Sequence, residues 1–140
     1  MSQVPVWFLA HPVAGDEKYS YDDNIGSNEE ETVGHIIQCL TMCFRAGLYA
    51  IAPYHTLCLA LDDADENDRT MGTITGLSLI RSLKRVILSG HKISRGMEAE
   101  VAACLDCGGQ ILNMVGVADK DFVYELRNPA RLQRHLKVSK

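Results

Sequence analysis

The sequence predicts an α/β protein, a flavodoxin-like or Rossmann-like three-layer sandwich with a four- to five-stranded parallel sheet. Short and almost continuously apolar runs, such as residues 4–10, are typical of strands that are covered on both faces. These runs alternate with segments whose apolar residues recur at helical spacing. The alternation fills a chain of 140 residues, which predicts one domain over residues 1–140.

Strands are predicted at residues 4–10, 48–52, 85–88 and 110–115. The first helix is expected to follow a cap at Ser27 or Asn28 and to end at Gly47. Its predicted inward stripe consists of Val33, Ile36, Ile37, Leu40 and Phe44.

Three further helices are predicted. The second ends at about Leu83, and its predicted inward residues are Met71, Ile74, Leu77 and Ile80. The third begins near Ser94 and ends before Gly108. The last covers residues 129–137, because Asn128 can cap it and Pro129 suits a first turn.

Charge and cysteine content exclude several classes of protein. A net charge of −4 argues against binding a nucleic-acid polymer, which needs a basic face. Five cysteines lack metal-site spacing, and Cys104-x-x-Cys107 lies at a helix end, where a thiolate is not stabilised. No window approaches the ~20 apolar residues of a membrane span, and no charged leader opens the chain. We therefore expect a cytoplasmic protein with reduced thiols, without membrane, metal or cofactor.

The loops after the first three strands, at residues 11–28, 53–68 and 90–96, should meet at the carboxyl edge of the sheet, where ligands bind in this fold. Dinucleotide, Walker and nucleophile-elbow motifs are all missing from them. Carboxylates remain, and a carboxylate on a rigid helix can attack a sugar carbon with oxocarbenium character. Glu98 and Glu100 point roughly 200° apart on the third helix, so only one faces the pocket, and periodicity does not choose.

Four motifs resemble the nucleoside 2-deoxyribosyltransferase-like superfamily, in particular its small phage and bacterial branch typified by domain of unknown function 4406. They are Phe8-Leu9-Ala10-His11-Pro12, Ala52-Pro53, Asp68-Arg69-x-x-Gly72 and Gly90-x-x-Ile93-Ser94-x-Gly96-Met97-x-x-Glu100. The resemblance extends over nearly the whole chain in order, and its last block is the most specific.

The resemblance implies roles for individual residues. Glu100, four residues after Gly96, has the spacing of the nucleophile, and Ser94 has that of a ligand of the 5′-phosphate, although it can also serve as a plain helix cap. Asp68 best fits the acid that assists the leaving base, with Asp62 and Asp63 as alternatives. The other implied substrate-binding residues are His11, Gly15, Tyr54, Arg95, Gly96 and Met97.

One departure concerns strand one, which offers Trp7 and Phe8 where transferases of this superfamily commonly carry a tyrosine; Tyr54 or Tyr19 could replace it. The resemblance implies cleavage of the N-glycosidic bond of a nucleoside or nucleoside 5′-monophosphate, by a hydrolase or a deoxyribosyltransferase. The alternative is a non-catalytic nucleotide-binding or sequestering protein of the same fold. A homodimer or larger homo-oligomer is also implied.

Overall fold

The computed structural model describes residues 4–12, 29–53 and 65–133. Its sheet has five strands in the order β2-β1-β3-β4-β5. They are β1 Val6–Ala10, β2 Tyr49–Ile51, β3 Arg85–Leu88, β4 Gln110–Asn113 and β5 Leu132–Gln133. The first four are parallel, and β5 runs antiparallel to β4. This is the flavodoxin-like order, so the predicted fold class is confirmed.

Within the described residues, four α-helices lie on the two faces of the sheet. They are α1 Glu29–Arg45, α2 Glu66–Leu83, α3 Arg95–Asp106 and α4 Asp119–Leu126. Side chains alternate along each strand, so Leu9 and Ile87 pack in one core with residues of α1 and α4. Phe8 and Val86 face the other core, with residues of α2 and α3. None of the helices in the described ranges is long and apolar enough to span a membrane.

The predicted inward stripe of α1 is partly wrong. Ile37 and Phe44 are 47 % and 52 % exposed, whereas Ile36, Cys39 and Cys43 are buried. The arc that faces the sheet is therefore centred on smaller sulfur-containing side chains. The ring of Phe44 packs edge-on against Tyr49 at the surface, with centroids 5.5 Å apart.

The predicted inward face of α2 is also partly wrong. Met71 and Ile74 are 57 % and 58 % exposed, while Ile80 is fully buried. The buried face centres on Gly76 and Ile80, one turn apart. A Cβ at Gly76 would lie 3.9 Å from the end of the Phe8 ring, an ordinary van der Waals distance, so this turn of α2 packs against the sheet.

The helix predicted over residues 129–137 is wrong for residues 129–133, and residues 134–137 lie outside the described residues. Asn128 does act as a cap, since its Oδ1 accepts from the N–H of Ala130 at 3.0 Å. The turn that follows is only a 3-10 helix, Pro129–Arg131, and β5 begins at once. Within the described residues the last α-helix is α4, which the sequence prediction missed; it has only eight residues, and Asp119, Lys120, Asp121 and Glu125 are charged.

Candidate functional site

The order of the strands places a topological switch point between β1 and β3. From β1 the chain turns to β2 on one side, and α2 then returns it across β1 to β3 on the other. In open α/β sheets, ligands bind in the crevice that opens at such a point beyond the carboxyl ends of the strands. In the part of the chain that the structure describes, residues 11–12 after β1 and residues 89–94 after β3 form the two walls of this edge.

Backbone contacts hold these two segments together. The N–H and the hydroxyl of Ser89 both donate to the carbonyl of Ala10, at 2.9 and 2.8 Å. Gly90 has a φ of +92°, and a Cβ there would lie 2.5 Å from Cδ of Pro12. The carbonyl of Gly90 accepts from the N–H of Gly116 at 2.9 Å, which also ties in the turn after β4. The edge is therefore built around a glycine that has no room for a side chain.

Helix α3 starts at this edge. Ser94 is its N-cap, and its Oγ accepts from the N–H of Met97 at 3.3 Å. Ser94 and Met97 are both 1 % exposed, and the Met97 side chain belongs to the core beneath α3. Arg95 and Gly96 are exposed on the first turn. The cap role of Ser94 is confirmed, and its contact with a phosphate stays a prediction.

The burial pattern of α3 separates its two carboxylates. Both are partly buried, but Glu100 lies on the flank of Ala103, which is 5 % exposed, whereas Glu98 lies toward the partly buried Leu105. Within the described residues, α2 is the helix that packs against α3. The deeply buried flank therefore faces α2, and Glu100 lies on that side, roughly 60° from Ala103 around the helix.

Asp68 lies in the first turn of α2, but it is not the N-cap. Asp65 fills that position, and its Oδ1 accepts from the N–H groups of Asn67 and Asp68 at 2.8 and 3.1 Å. The role of Asp68 toward a leaving base stays a prediction. The structure brings the starts of α2 and α3 to the same edge. Gly15, Tyr54, Asp62, Tyr19 and Asp63 lie outside the described residues.

His11 belongs to a group of polar side chains that the sequence prediction did not assemble. Its Nε2 lies 2.7 Å from Nδ1 of His35 on α1. Nε2 of His35 lies 3.7 Å from Oδ1 of Asp119 on α4. We call His11, His35 and Asp119 the His–His–Asp chain. Gln38 donates to the other oxygen of Asp119 at 3.0 Å.

Electrostatics make His11 unusual. Burial lowers its pKa from 6.5 to about 4, although its hydrogen bond to the carbonyl of Pro12 opposes the change; His35 and His91 lower it further. His91, on the loop after β3, also has a lowered pKa, first through burial and then through Lys92 and His35. His11 is thus neutral at physiological pH. The sequence does show that His35 and Gln38 are one turn apart on α1. No local sequence pattern connects either residue with Asp119.

None of the cysteines in the described residues has the features of a reactive thiol. Burial raises the pKa of Cys39 and Cys43 to about 12 and that of Cys104 to about 11. The thiol of Cys107 donates to the carbonyl of Cys104 at 3.2 Å. The described part of the chain contains no group of three or more His, Cys, Asp or Glu residues able to hold a metal ion.

Comparison with known proteins gives one family. No curated protein and no solved structure matched the chain significantly. The model of a family described as a domain of unknown function, DUF7768, matches residues 8–114. This match extends from β1 to the end of β4 and includes the switch point and both of its walls. The chain therefore belongs to the DUF7768 family.

Proposed function

We propose that this protein cleaves the N-glycosidic bond of a nucleoside or nucleoside 5′-monophosphate, with Glu100 as the nucleophile. The observation that carries the proposal is the position of Glu100 on the second turn of α3, at the carboxyl edge and on the flank toward α2. A carboxylate held by a helix at the ligand-binding edge of an α/β sheet suits attack on an anomeric carbon with oxocarbenium character.

The surroundings of Glu100 support a substrate of this class. The start of α3 offers backbone N–H groups and the Arg95 side chain, a combination that favours a phosphate. Asp68 begins the neighbouring helix at the same edge. In the proposed reaction the Glu100 carboxylate bonds to the anomeric carbon as the bond to the base breaks, and Asp68 supplies the proton that the base takes up. Water then releases the sugar in a hydrolase, and a second base does so in a transferase.

The decisive experiment compares two carboxylates on one helix. Wild type, Glu100→Gln and Glu98→Gln are incubated with ribo- and deoxyribonucleosides and their 5′-monophosphates, with and without a second free base. Free and exchanged bases are separated by chromatography. We expect wild type to release or exchange a base, Glu100→Gln to lose at least about 100-fold in rate, since it removes the covalent step, and Glu98→Gln to stay within about twofold of wild type.

The results also decide between two functions. Equal losses in both variants would reject Glu100 as the nucleophile. The second candidate is a nucleotide-binding protein without turnover. The observation that favours it is the N–H-rich start of α3, with the cationic side chains of Lys92 and Arg95 beside it. No base release, together with a nucleotide that raises the melting temperature of all three proteins equally, would establish binding alone.

We also propose that the protein forms a homodimer or larger homo-oligomer, as the resemblance to the deoxyribosyltransferase-like superfamily implies. Met71 and Ile74 support it, because they are large apolar side chains exposed one turn apart on α2. Light scattering after size-exclusion chromatography tests it: a mass near the 15.5 kDa of one chain would reject it.

A further inference from the structure

One acceptor determines which atoms donate and which accept along the His–His–Asp chain. Nδ1 of His11 lies 2.7 Å from the carbonyl oxygen of Pro12, which can only accept a hydrogen bond. Nδ1 of His11 therefore carries a hydrogen. His11 is 6 % exposed, and its pKa of about 4 keeps it neutral, so its Nε2 has a lone pair and accepts.

The next bond must then point toward His11. Nδ1 of His35 lies 2.7 Å from that Nε2, so Nδ1 of His35 carries the hydrogen and donates it. If His35 were neutral, its Nε2 would present a lone pair to the carboxylate of Asp119 at 3.7 Å. If His35 is protonated, the same nitrogen presents an N–H. Only the protonated ring satisfies both of its neighbours at once.

Protonation also strengthens the inner bond. A hydrogen bond from a charged donor is roughly twice as strong as one between neutral groups. His35 would then hold His11, and through it Pro12, more tightly. Pro12 in turn lies against Gly90 across the switch point.

We propose that His11, His35 and Asp119 form a proton-dependent clamp that fixes the segment after β1 to α1 and α4. Uptake of a proton by Nε2 of His35 closes the contact with Asp119 and tightens the bond to His11, and loss of that proton reverses both changes. The clamp needs no ligand or reaction, so it does not rest on the proposed function.

Several titratable or charged groups near His35 affect the clamp. His11 faces it from the segment after β1, and Asp119 faces it from α4. His91 acts on it from the loop after β3, with Lys92 beside His91. On α1 itself, Cys39 lies one turn away and stays uncharged, because its pKa is about 12. Asp119 is an anion that contacts the ring of His35, so we expect its removal to matter.

The test follows the ring nitrogens of the histidines by ¹⁵N NMR between pH 5 and 9. In wild type we expect His11 to carry hydrogen on Nδ1 throughout, and its Nε2 signal to shift as His35 titrates. In Asp119→Asn the midpoint of that change should move to lower pH, because the variant removes the carboxylate that the protonated ring would contact. Asp121→Asn is the matched control, because it removes an exposed carboxylate from the same first turn of α4.

A third variant separates the clamp from simple packing. In His35→Asn, an amide N–H stands near the place of the ring Nδ1–H but cannot titrate. We expect His11 to keep its hydrogen on Nδ1 while its Nε2 signal loses the pH response. Hydrogen on Nε2 of His11, a pH response that persists in His35→Asn, or equal midpoints in Asp119→Asn and Asp121→Asn would each overturn the proposal.

Discussion

Replacement of Gly90 by alanine is the sharpest test of how the switch point is built. Two costs add. A φ of +92° is unfavourable for any residue with a Cβ, by roughly 1–2 kcal/mol. The new Cβ would also lie 2.5 Å from Cδ and 3.0 Å from Cγ of Pro12, and overpacking of this kind costs about 1–3 kcal/mol. Together they should remove about 2–5 kcal/mol from a total stability on the order of 5–15 kcal/mol.

Urea denaturation followed by circular dichroism measures the loss. We expect the midpoint of Gly90→Ala to fall by about 1–2 M. Gly108→Ala isolates the backbone cost, since Gly108 has a φ of +74° and nothing within 4 Å of an added Cβ. Gly34→Ala, an open helical position in α1, should instead gain about 0.5–1 kcal/mol. A Gly90→Ala loss no larger than that of Gly108→Ala would refute the tight contact with Pro12.

Two further predictions concern acid stability and helix capping. Unfolding should raise the pKa of His11 from about 4 back to 6.5, so between these pH values the unfolded chain binds a proton that the folded chain does not. The free energy of unfolding should therefore fall as the pH drops from 6.5 toward 4, by up to about 3 kcal/mol. In urea titrations at several pH values His11→Asn should flatten this slope, and an unchanged slope would contradict the burial argument. Asp65→Ala should lower the unfolding free energy by about 1 kcal/mol, because Asp65 caps α2. Glu66→Ala, at an exposed position of the same turn, should change it by less than about 0.5 kcal/mol. Equal losses in the two variants would contradict the capping role.

The sequence predicted features that depend on near neighbours. The four parallel strands and the caps at Ser94 and Asn128 follow from local patterns of apolar residues and hydroxyl or amide side chains. The carboxyl edge followed too, because parallel strands fix which loops meet. These signals need no knowledge of distant contacts.

What the sequence missed depends on contacts between distant segments. Met71 and Ile74 are apolar and helically spaced, but α2 packs on the sheet through the face of Gly76 and Ile80, so both are exposed. The hydrogen bond between His11 and His35 joins residues 24 positions apart, and Asp119 follows β4, much later in the chain. The spacing of residues along a helix or strand is a local pattern and does not predict contacts between such distant residues.

The way the edge is held makes substitutions of Glu100 interpretable. The ends of β1, β3 and β4 are joined by the contacts of Ser89 with Ala10 and of Gly90 with Gly116, and the start of α3 is fixed by its own cap. These bonds join other residues, although Glu100 has an interaction of its own. Glu100→Gln keeps the volume of the side chain and removes its charge, so the edge should keep its form. A loss of base release in that variant would therefore report the chemistry of the carboxylate rather than a change of fold.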